Sequence, residues 1–242
     1  MIKKIICVLS LTVLVTGGAF AQIKSSYGFG GFFSQSFGGG HEITVPKIDA
    51  AGADITRMEF SLNGYGIFGF YDINYLEASI GFTFGTLARN YIINKANESR
   101  DFADYNLTGG IIGAYLKYPF TLKNKKLTLY PIAGAEYQWI FSLRPKETST
   151  TSPDLTFGHV DDPELRREIK ANDLSCFWVK FGLGLDYPTS EKMFIRGVFL
   201  YGIRFASKLE KELRSQEALF LGGNGKAVIG HGFQIRVSIG WK

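Results

Sequence analysis

Beyond its first two dozen residues this chain has no run of 18 apolar residues, which excludes a helix built to cross a bilayer. Cysteine is nearly absent. Of Cys7 and Cys176 only the second lies outside the N-terminal leader described below, so no internal disulfide can form even in an oxidising compartment. His41, His159 and His231 are scattered without metal-ligand spacing, and neither a zinc site nor any other cofactor is expected. The excess of one charge sign is also small, with 27 Lys and Arg against 22 Asp and Glu. The formal net charge of +5 falls by two when Lys3 and Lys4 leave with the leader, and no nucleic-acid partner is expected. No Pro- or Ser-rich linker divides the chain, which argues for one domain.

What the chain does have is a leader and an abundance of glycine and aromatics. Lys3 and Lys4 precede an apolar stretch from Ile5 to Val15, and small residues end in Ala19-Phe20-Ala21 before Gln22. This is the pattern of a secretory signal peptide over 1–21, leaving 22–242 as the mature domain. The apolar run is too short for a membrane anchor, and Cys7 lies inside it, away from any lipoprotein processing site.

With 29 Gly, 21 Phe and 12 Tyr, the mature chain alternates with a period of two, the mark of strands. Leu76, Ala78, Ile80, Phe82 and Phe84 oppose Glu77, Ser79, Gly81 and Thr83. Phe177, Val179, Phe181, Leu183 and Leu185 oppose Trp178, Lys180, Gly182 and Asp186. Ile195, Phe199, Tyr201, Ile203 and Phe205 oppose Arg196 and Arg204, and Ile229 to Trp241 sets an apolar face against Gly230, Gln234, Arg236 and Ser238. Met58 to Phe70 reads with Met58, Phe60, Leu62, Phe68 and Phe70 on the apolar face and Glu59, Ser61, Asn63 and Tyr65 on the other. Further strands are expected near 26–37, 105–118 and 128–142, the parity of the 105–118 segment being open.

The gaps alternate in length. Short ones lie near 71–74, 119–126 and 188–192, and long ones near 38–55, 87–104, 144–173 and 206–227. Short turns on one side and long loops on the other, with an even strand count, predict an all-β, eight-stranded antiparallel transmembrane up-and-down β-barrel. The Tyr-Pro pairs at 118–119, 130–131 and 187–188 fall on the turn side. Tyr118, Tyr187 and Trp241 read outward as membrane-interface aromatics in contact with lipid, whereas Tyr75 and Tyr130 read inward.

A soluble lipocalin-type barrel would turn its apolar face inward. The charges on the polar face argue otherwise: Glu59, Glu77, Glu136 and Asp186 with Lys117, Lys180, Arg196, Arg204 and Arg236 form a nearly balanced lumen set. An eight-stranded barrel is just wide enough to be filled by its side chains, and charges there are costly unless paired. An ion-paired core is the leading reading, a narrow or gated channel the second, and a misassigned parity the third.

In the long connections, Ser207-Lys208-Leu209-Glu210 matches a capping box, with a helix running toward Gly222-Gly223, and Asp161-Asp162-Pro163-Glu164 could open a helix through Ile169. A lipid-modifying enzyme needs a nucleophile beside a base. His231 on the last strand resembles the histidine of a lipid A deacylase, but the position two residues later is Phe233 where that family has serine. No catalytic residue is expected.

Three runs carry a family resemblance: Lys117-Tyr118-Pro119-Phe120, Tyr130 to Tyr137 (YPIAGAEY), and the closing Gly232 to Trp241 (GFQIRVSIGW). With these the chain resembles the small OmpA/OmpX/OmpW-like outer-membrane barrels over essentially its whole mature length. The last run resembles the terminal strand signal read by barrel-assembly machinery, departing from it in that Lys242 follows the aromatic. The resemblance implies outer-membrane localisation in a diderm bacterium and a non-enzymatic role. Such a role is envelope integrity, surface interaction with an extracellular ligand or host molecule, or passive conduction of small or apolar molecules.

Overall fold

The structure is a computed structural model that describes residues 25–44, 54–94, 98–122, 127–145, 156–157, 167–168, 171–208, 211 and 224–242. The expected signal peptide over 1–21 lies outside the described residues. Eight long strands form the wall: β1 (Ser25–Phe37), β2 (Asp54–Ile73), β3 (Leu76–Asn94), β4 (Glu98–Lys117), β5 (Leu127–Pro145), β6 (Cys176–Pro188), β7 (Met193–Arg204) and β8 (Gly230–Trp241). Each pairs antiparallel with its sequence neighbours, and β1 pairs with both β2 and β8, from Ser25↔Ile73 on one side to Tyr27↔Trp241 on the other. The sheet is therefore closed, with no edge left in the spanning region, as a bilayer requires.

Alternation assigns the two surfaces. Lipid-type side chains stand outside, among them Phe29, Phe33, Ile67, Ile80, Phe82, Ile112, Leu183, Phe199 and Val237, all exposed. Charged, hydroxyl and glycine positions fill the inside, where Arg196, Arg204, Arg236, Glu77 and Glu136 are buried. Apolar outside and charged inside is the reverse of a water-soluble barrel, and it defines a transmembrane one.

Three expectations are corrected. In β2 the parity is reversed: Leu62, Phe68 and Phe70 are buried in the lumen, while Tyr65, Ile67 and Tyr71 are exposed outside. Both faces of this strand are apolar, so alternation alone could not orient it. Tyr75 does not point inward. It lies exposed in the two-residue turn Asn74-Tyr75, where Asn74 adopts a left-handed φ of 52°, and its ring stacks on Tyr118 at 5.7 Å.

The third correction concerns the long connections. β3 runs to Asn94 and pairs with β4 from Glu98 onward, so most of 87–104 is strand. Gly40–Thr44 and Asn224–Val228 likewise pair with each other, carrying the β1–β8 ladder past Gly38-Gly39. Apolar alternation marks only the part of a strand that lipid touches, whereas the backbone ladder continues beyond it. Arg167–Glu168, expected within a helix, instead pairs with Thr156–Phe157. The remainder of that expected helix lies outside the described residues, as does most of the 207–223 segment, where Lys211 N–H donates to Ser207 O at 3.2 Å.

Candidate functional site in the lumen

Arg196 on β7 organises the turn-side half of the interior. Its Nε donates to Asp186 Oδ1 at 2.7 Å and its Nη2 to Asp186 Oδ2 at 2.8 Å, a bidentate fork across one hairpin. The same guanidinium reaches across the barrel to Asp72 Oδ2 at 2.9 Å and Glu77 Oε2 at 3.0 Å. Lys117 closes the group, with Nζ 2.6 Å from Asp72 Oδ2 and 3.6 Å from Glu77 Oε2. Ser26 Oγ donates to Asp72 and Tyr130 OH to Asp186. The guanidinium also lies over the rings of Phe70 and Phe194, 4.4 and 5.0 Å from their centroids, so its faces are packed while its edges are hydrogen-bonded.

A second cluster occupies the middle of the barrel. Glu136 pairs with Lys180 and with Arg236 Nη2, the latter at 2.6 Å. Tyr115 OH donates to Glu136 Oε2 at 2.8 Å and accepts from Arg236 Nη2 at 2.6 Å. Gln234 Oε1 accepts from Arg236 Nε and Lys180 Nζ at 2.9 and 3.1 Å. Arg236 Nη1 lies 3.6 Å from Glu77 Oε1 and links the two clusters into one network.

Asp72, Glu77, Glu136 and Asp186 are thus opposed by Lys117, Lys180, Arg196 and Arg236, four charges of each sign contributed by seven elements of the wall from β2 to β8. Taking charges out of water costs several kcal/mol per ion, and only close pairing with hydrogen bonds to the remaining lone pairs and protons offsets it. Reciprocal neutrality within a few ångströms is the arrangement that makes these side chains tolerable here.

Arg204 lies apart, buried toward the loop side against Gly39 and Gly230. A Cβ at Gly39 would stand 2.1 Å from Arg204 Nη2, and the backbone there has a φ of +91°, so both space and conformation call for glycine. The side chain of Glu59 lies outside the described residues. Asp72 is the member that sequence reading missed. Its signal was its phase, two residues beyond Phe70 on the same face of β2.

Above the network the lumen holds a cavity of about 20 Å³ lined by Ser34, Ser36, Thr83, Gln138, Trp178 and Leu200. At about 10–15 Å³ per water site this is room for one or two water molecules, not for a solute.

Of the three aromatics expected at the interface, Tyr118 and Tyr187 are exposed on the outer wall, and Trp241 is half-buried between Tyr27 and Phe29, with ring centroids at 5.9 and 5.7 Å. His231 is exposed on the outer face with Phe37 and Tyr201 flanking its ring at 6.0 Å each.

Fold and lumen together define an eight-stranded transmembrane β-barrel filled by ion pairs. Among solved structures the chain is similar to the outer membrane protein OprG from Pseudomonas aeruginosa, with 12% identity over 90% of this chain and 96% of that one and a TM-score of 0.46. It is also similar to the N-terminal β-barrel domain of Pseudomonas aeruginosa OprF, with 13% identity over 88% of this chain and 98% of that one and a TM-score of 0.28. No family model and no curated protein matches the chain.

Proposed function

We propose that the protein resides in the outer membrane of a diderm bacterium as a non-enzymatic barrel. In this reading it supports the envelope and presents its loop-side surface to extracellular ligands or host molecules. The observation that carries this reading is the charge-balanced network across the lumen. Arg196 touches acids on three different strands, Asp72, Glu77 and Asp186, so a solute passing through the centre would have to part all three contacts. Export by the leader and insertion by barrel-assembly machinery are part of the same proposal.

The test is conductance of the purified full-length protein in planar bilayers, together with swelling of liposomes that contain it. Silence in both is the expected result, and resolved current steps would overturn the closed-lumen reading. Shortening the segment between β5 and β6 with the barrel kept folded is expected to abolish surface binding or the envelope phenotype. Retention of both would remove the loop-side role.

A narrow conduit is the second reading, favoured by the polar lining of the loop-side lumen at Ser34, Ser36, Thr83 and Gln138. It requires the network to open, so conductance would then rise in Arg196→Leu.

A further inference from the structure

Five polar positions of outward parity lie side by side on the wall, and two of them, Gln35 and Asn63, also border the lumen cavity. Gln35, Asn63, Thr86, Asn106 and Arg144 are successive register partners from β1 to β5. Their row is about 19 Å long at roughly 4.8 Å per strand step. Asn106 and Arg144 are exposed and the other three half-buried. Among the described residues none of the five side chains has a hydrogen-bond or ion-pair partner, and Asn63 Oδ1 is a buried acceptor without one.

Arg144 owes its side of the wall to a β-bulge. Gly109 faces Ile140 but Thr108 faces Ser142, so Phe141 is an extra residue in β5. Before the bulge Tyr137 points out and Ile140 in. After it the parity exchanges and Arg144 emerges on the outer face. Bulges re-aim side chains in this way, and without this one the guanidinium would enter the lumen.

The row also lies at a defined height. Asn63 is ten residues from Ile73 at the turn end of β2, which at about 3.4 Å per residue and a tilt of roughly 35–45° is about 25 Å, the height of the apolar band of such barrels. Strand tilt makes the row oblique: Leu76↔Leu116↔Ala133 is a turn-end row on β3, yet β5 begins at Leu127 below it. The stripe therefore starts at the hydrocarbon edge with Gln35 and Asn63 and rises to Arg144. Amides facing hydrocarbon without partners are costly, so their partners belong to the polar zone of the lipid itself.

We propose that this stripe docks the headgroup of an outer-leaflet lipid that carries both sugar hydroxyls and phosphate. The exposed Asn106 amide offers donors and an acceptor, matching hydroxyl groups that do the same, and the Arg144 guanidinium forks a phosphate. A phosphate lipid without sugar would engage Arg144 alone. The proposal rests on the outer-membrane location proposed above, which fractionation of wild-type cells tests separately.

The experiment folds the full-length protein into phosphatidylcholine vesicles containing diphosphoryl lipid A, or phosphatidylglycerol at equal charge. Lipid retained after detergent extraction is read by native mass spectrometry, and thermal stability by heat-modifiable gel mobility, which also reports that each variant is folded. Lipid A is expected to be retained and to raise Tm, with retention falling roughly tenfold in Arg144→Gln and several-fold in Asn106→Ala, in line with loss of charged and neutral hydrogen bonds. Equal retention of phosphatidylglycerol, or unchanged lipid A retention in both variants, would overturn the proposal.

Discussion

Arg196 is where the energetics of the interior concentrate, because one guanidinium satisfies Asp186, Asp72 and Glu77 at once. Replacing it by leucine leaves the buried Asp72 and Glu77 with Lys117 and Arg236 as their cations in contact, and the half-buried Asp186 with the Tyr130 hydroxyl. Breaking a buried pair by removing one partner typically costs about 3–5 kcal/mol. Arg196→Leu is expected to lose that much in urea titrations of the protein folded in vesicles. Arg196→Lys, which keeps the charge but not the fork, should fall between the two. An unchanged urea midpoint in Arg196→Leu would mean that the network contributes nothing to stability. Much of this site was legible residue by residue, since a lysine, arginine, aspartate or glutamate in phase with glycine and serine, opposite an apolar face, has only the lumen to enter. Asp72 escaped because its strand had no polar phase to follow before it.

At the level of the strand, orientation could be read where one face was plainly polar, as in β3, β6, β7 and β8. It failed in β2, where Leu62, Phe68 and Phe70 compete with Tyr65, Ile67 and Tyr71. A barrel this narrow fills its core partly with aromatics, here Phe32, Phe68, Phe70 and Phe194, and their packing against one another is invisible to a period-two pattern. The observed parity places Ile67 in lipid. Ile67→Arg is therefore expected to lose about 2–4 kcal/mol of folding stability in vesicles, the usual cost of a cation on the lipid face near the bilayer midplane. Stability equal to wild type would put that side chain in the lumen instead. The bulge at Phe141 was equally hidden. A single extra residue alters no composition, yet it decides on which side of the wall everything after it stands.

For the molecule as a whole, strand number and the alternation of turns and loops were open to reading because gap lengths follow from topology. The full height of the wall was not, since the ladder continues through 54–55 and 87–94, which lack a strict period-two alternation. The meeting of Tyr27 with Trp241, sealed by ring stacking at 5.9 Å, has a consequence of its own. The two strand ends are neighbours on one rim, so the barrel is a cycle that the polypeptide happens to interrupt between β8 and β1. Joining Trp241 to Ser25 by a short flexible linker and cutting the exposed turn at Ser190-Glu191 would leave all eight pairings available. Such a circular permutant is expected to reach the same heat-modifiable folded form, and failure to do so would show that the native order of strand addition is itself required. Success would mean that closure depends on which strands are neighbours and not on which of them is made first.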